Sequence, residues 1–105
     1  MGRIYNANGA KMNVAEIVAE VLQIATSEQK KVLVNNINKY DGIASSHAKL
    51  AHGILDSYKS IDSTSEQGMR LRKLLDNIMT KYQKSANTTA DDQSQYNYLI
   101  CELSK

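Results

Sequence analysis

Four short polar residues, Asn13, Thr26, Ser63 and Thr89, are each followed three positions later by an acid or a glutamine. The pairs are Asn13 with Glu16, Thr26 with Gln29, Ser63 with Glu66, and Thr89 with Asp92. At this spacing the first side chain accepts a hydrogen bond from an unpaired N–H of a helix's first turn, while the later one reaches back to the N–H of the capping residue. Apolar residues at helical spacing follow each pair, and the 105 residues contain no proline to interrupt a helix. The expected fold is all-α, a compact bundle of four to five short helices. Residues 1–12 are expected to form an N-terminal arm, and residues 13–105 one helical domain.

The apolar periodicity assigns a core face to each helix. Val14, Ile17, Val18, Val21, Leu22 and Ala25 form the first stripe, and Leu33, Val34, Ile37 and Tyr40 a narrower second one that ends at an Asp41-Gly42 turn. Residues 43–61 predict a third helix with Ile43, His47, Leu50, Ala51, Ile54, Tyr58 and Ile61 on one face. Residues 66–84 predict a fourth, carried by Leu71, Leu74, Leu75, Ile78, Met79 and Tyr82. Tyr96, Leu99, Ile100 and Leu103 recur at helical spacing after Thr89. A strand through Tyr96 to Leu103 is the competing reading, but the cap and the acids in the first turn favour a helix. Tryptophan and phenylalanine are absent, so the core must be aliphatic with some of the six tyrosines.

Nothing in the chain points to catalysis. His47 and His52 are five residues apart, which sets them about 140° apart on a helix and prevents both from gripping one metal ion. His47 lies inside an apolar stripe, where a hydrogen-bonded core histidine is expected. Cys101 is the lone cysteine; it excludes an internal disulfide and is expected to be a half-buried structural thiol. The five glycines form no phosphate-binding loop or dinucleotide fingerprint. No cofactor and no metal are expected. The first residues lack the apolar run of a signal peptide, and no stretch reaches membrane-spanning length, so a cytoplasmic setting and no membrane contact are the expectations.

Binding is the class the polar residues favour. Arg70, Lys73, Asn77, Lys81 and Lys84 fall within an arc of about 80° on the fourth helix and make a cationic stripe. Residues 66–84 carry five basic and two acidic side chains, whereas residues 85–105 carry one basic and three acidic. The stripe suits an acidic protein surface or phosphates. The segment from Val34 to Leu55 resembles a helix-turn-helix with Gly42 in the turn and Ser45, Ser46, His47 and Lys49 opening the recognition helix. It departs from that pattern at Asn38, where a small residue is usual, and at Asp41, where an apolar one is usual. Gly53, in a row of small residues with Ser46, Ser57 and Ser60, marks a tight helix crossing within the chain or between subunits. Tyr98, off the apolar face, is a candidate interface anchor. The expected function is therefore that of a non-enzymatic adaptor or inhibitor with a protein partner, and self-association is compatible with it. Nucleic-acid binding is the first alternative, and a small ligand held in an oligomeric cleft lined by His47, Tyr58 or Tyr82 is the second. The size also suits an accessory protein such as a phage-encoded regulator of a host complex.

Overall fold

The computed structural model describes residues 13–84 and 89–105; the arm expected over residues 1–12 lies outside them. Helices α1 (Val14–Ile24), α2 (Ser27–Asn38), α3 (Ser46–Ser57), α4 (Glu66–Lys84) and α5 (Ala90–Leu103) follow in order, with a 3-10 turn at Tyr58–Ser60 after α3. The described residues are all-helical, and the segment from Tyr96 to Leu103 is helix.

Three of the four predicted caps form as reciprocal pairs. The Asn13 side chain accepts from the Glu16 N–H at 2.9 Å and the Glu16 carboxylate from the Asn13 N–H at 3.0 Å. Thr26 with Gln29 and Thr89 with Asp92 do the same. Ser63 does not cap α4. Asp62 Oδ1 instead accepts the Thr64 N–H at 2.9 Å and its hydroxyl at 2.7 Å, which commits residues 62–64 to a turn. The cap moves to Ser65, whose Oγ accepts the Gly68 N–H at 3.0 Å. A Cβ on Gly68 would collide with the Asp62 carbonyl oxygen, so glycine in the first turn lets this loop fold back onto the helix.

The third helix is shorter at both ends than the periodicity predicts. Ser45 starts it, with Oγ accepting from the Ala48 N–H at 3.2 Å. At the other end the Ser57 hydroxyl donates to the Gly53 carbonyl at 2.7 Å, and the backbone tightens into the 3-10 turn. Ile61 still reaches the core beyond that turn.

α5 packs against α1, α2 and α3, while α4 lies across α1 and α3. Between them sit Ile17, Val21, Leu33, Ile37, Leu50, Ile54, Leu71, Leu75, Ile78, Tyr96 and Leu99, all fully buried. Burial of each such side chain contributes about 1.5–3 kcal/mol. The α2–α3 pair is the most extensive contact. A Cβ on Gly53 would lie 2.8 Å from Ile37 Cα and 2.9 Å from its nitrogen, so the two backbones touch there. Asn36 adds a hydrogen bond to Ser57 Oγ at 2.9 Å. Gly53 is thus buried by the chain's own α2, and the small-residue row at Gly53 and Ser57 serves an internal crossing.

Candidate interaction surface

α4 spans 19 residues, and its described side chains bury one face. Leu71, Leu74, Leu75 and Ile78 point inward, while Met69, Lys73, Asp76 and Thr80 are exposed on the opposite side. The N-terminal end of the helix is anchored where α1 meets α2, since the Gln67 amide donates to the Ile24 carbonyl and to Gln29 Oε1, both at 2.8 Å.

The cationic stripe is only partly free. Arg70 donates to Glu20 Oε1 of α1 at 2.8 Å, and that hydrogen bond and charge raise its pKa. Lys73 is exposed, and Asn77 and Lys81 are half-buried. Among the described residues, no carboxylate lies within ion-pair distance of Lys73 or Lys81. Lys84 ends the helix at the expected register, and its side chain lies outside the described residues. On the other edge of α4, Tyr58 engages both charged side chains. The Arg72 guanidinium sits 4.9 Å from the Tyr58 ring centre, and the Tyr58 hydroxyl donates to Asp76. Burial, then the bond to Asp76, push the Tyr58 phenol above its usual range.

The residues proposed for DNA readout are placed differently. His47 is only 2% exposed. Its ring stacks on Tyr96 at 4.1 Å, meets Tyr82 edge-on at 5.2 Å, and has Nε2 3.1 Å from the Ile78 carbonyl oxygen. Gln93 of α5 covers the start of α3, with Oε1 accepting from the His47 N–H at 3.1 Å and its amide donating to Ser45 Oγ at 3.3 Å. Ser46 and Lys49 are half-buried, and Lys49 lies 3.8 Å from Asp41. Residues 39–45 separate α2 from α3, a longer connection than the three- or four-residue turn of a helix-turn-helix. Of the four residues expected to open a recognition helix, His47 is buried, while Ser45, Ser46 and Lys49 keep part of their surface exposed. α3 presents its first turn to α5, and His47 serves the core as its place in the apolar stripe predicts. Buried within one chain, His47 offers little surface of its own to a cleft between subunits.

Tyr98 is exposed, as its position off the apolar face of α5 predicts. Cys101 is exposed too, in place of the half-buried thiol expected from its apolar neighbour Ile100. One residue step turns the side chain about 100°, enough to move it from the core face to solvent. Leu55 and Tyr82 are exposed as well. Tyr82 continues the α4 apolar stripe by spacing, yet near the end of α4 its ring meets His47 only edge-on. On the far side of α3, Tyr40 stacks on His52 and donates to Asp56 at 2.6 Å, a surface lock that no local sequence signal announced.

Among the described residues, no three His, Cys, Asp or Glu side chains are grouped to hold a metal ion, and no helix is long and apolar enough to cross a membrane. No family model matches this chain, and neither the search of curated proteins nor that of solved structures returned a match.

Proposed function

We propose that this protein is a non-enzymatic interaction module, of adaptor or inhibitor type, that binds another protein through the outward side of α4. The observation that carries this reading is the pair of exposed Lys73 and half-buried Lys81, both without carboxylate partners among the described residues, on a long helix whose described residues bury one face. A surface charge that the fold does not use is available to a partner and steers its approach.

A protein partner fits the charge count better than nucleic acid. With Arg70 tied to Glu20, the described side chains of the stripe retain Lys73 and Lys81 as cations without a carboxylate partner. Two phosphate contacts give a salt slope of only about −1.8, well short of proteins that make roughly 6–10 such contacts.

The test is a photo-crosslinking amino acid at position 73, with position 31 on the exposed side of α2 as control, applied in lysate of the source cells. The expected result is a discrete protein adduct at 73 and none at 31. A nuclease-sensitive adduct at 73 would transfer the reading to nucleic acid, and no adduct at 73 would end it.

A further inference from the structure

We infer that the outward face of α5 is a two-fold contact between two copies of this chain, with Tyr98 at its centre; the inference does not rest on the reading of α4. Asp91, Ser94, Tyr98 and Cys101 are all exposed. They recur at i, i+3, i+7 and i+10, within an arc of about 80° that lies opposite the buried face of Tyr96, Leu99, Ile100 and Leu103. Alternating steps of three and four are the spacing by which two helices lie along one another. Tyr98 is the large side chain of this row, 51% exposed between the small Ser94 and Cys101, so each copy offers a projecting ring with shallow notches beside it. Lys105 follows the end of the helix. Its ammonium bonds Glu102 Oε2 at 2.9 Å, and Glu102 first, then the Tyr98 phenol and the Cys101 thiol, raise its pKa, which sets it at this face.

Charge chooses the occupant. From Ala90 to Lys105 the charged side chains are Asp91, Asp92, Glu102 and Lys105. Asp92 is half-buried and bonded into the Thr89 cap, which leaves Asp91, Glu102 and Lys105 for the face. Asp91 and Lys105 stand seven residues to either side of Tyr98, about 10.5 Å along a helix axis. Two antiparallel α5 helices that meet at Tyr98 therefore bring Asp91 of each copy to Lys105 of the other, and their dipoles run in opposition. The Lys105 side chain is 73% exposed and bonds one carboxylate, so its remaining donors can take a second beside Glu102. Parallel pairing would instead set Asp91 against Asp91, and a nucleic acid would meet two carboxylates for one cation. The face is thus its own complement, as a two-fold contact requires. One short helix pair buries less than a standard interface, so the dimer is weak, with Kd on the order of 100 μM.

The experiment is analytical ultracentrifugation of the full chain from about 10 μM to about 1 mM, a range that brackets such a Kd. The expected result is monomer at the low end and mostly dimer at the high end. Asp91→Lys and Lys105→Asp should each weaken the dimer about threefold or more, and the two reversals together should bring it back to within about twofold of the original chain. Thermal melts of the variants at the lowest concentration, where all are monomeric, would establish that they fold. Independently of charge, Tyr98→Cys in a Cys101→Ser background should be joined into a dimer by a short bismaleimide at the high concentration, whereas Lys31→Cys on the exposed side of α2, in the same background, should not. A monomer at every concentration, a dimer indifferent to both single reversals, a double reversal that restores nothing, or equal crosslinking at positions 98 and 31 would overturn the inference.

Discussion

At the scale of single residues, His47 joins three helices. It belongs to α3, reaches the Ile78 carbonyl of α4 with its ring, stacks on Tyr96 of α5 and has its own N–H held by Gln93. Burial lowers its pKa from 6.5; the Ile78 carbonyl and Asp92 oppose the shift, while Lys81 adds to it. Because the folded pKa is depressed, the unfolded chain takes up the proton first as pH falls. Stability from this group is therefore complete above pH 6.5 and is lost below it, as pH falls through the folded pKa. Urea denaturation at about pH 7.5 and about pH 5.5 should show a lower midpoint at the acid value, and His47→Gln should shrink that difference. An equal difference in both proteins would reject the role. Tyr96, beside it, shifts the other way, up to about 12, chiefly by burial and then by Asp92, so it stays protonated through this range.

At the scale of elements, the start of α4 separates a sequence signal from the structure that forms. Ser63 and Glu66 have capping spacing, but Asp62 captures Thr64 first, and Ser65 then makes the cap. Two short polar residues in sequence compete for one helix end, and the geometry of the preceding turn chooses between them. Ser65→Ala should cost about 1 kcal/mol of stability, within the range of about 0.5–2 for lost caps, whereas Ser63→Ala should stay within about 0.5. Chemical denaturation of the two variants measures this, and the reverse order would place the cap at Ser63. The other three boxes were legible because in each the residue with capping spacing is the one that forms the reciprocal pair. The stripe on α4 was legible as a row of residue types, but the state of each charge was not. Arg70 is neutralised by a carboxylate fifty positions away, a pairing that no helical spacing encodes.

At the scale of the whole molecule, α5 is the shared wall for α1, α2 and α3. Leu99 is fully buried there, whereas Tyr98 beside it is exposed. Leu99→Ala should remove about 2–5 kcal/mol and lower Tm by about 10 °C or more, while Tyr98→Ala should shift stability by about 0.5 kcal/mol or less. Comparable losses in the two thermal melts would contradict this placement. Periodicity and capping by themselves determined that the chain is helical, where most of its helices begin, and which residues of α1 and α5 enter the core. These properties arise within a few residues of backbone, where local hydrogen bonds and one-sided apolar spacing act. Only the tertiary structure decided that Gly53 meets α2, that the first turn of α3 faces α5, and that Glu20 takes Arg70 while Lys73 and Lys81 stay unmatched by carboxylates among the described residues. Those outcomes depend on which helix faces which, and that follows from burying every apolar stripe at once, a condition that belongs to the whole chain.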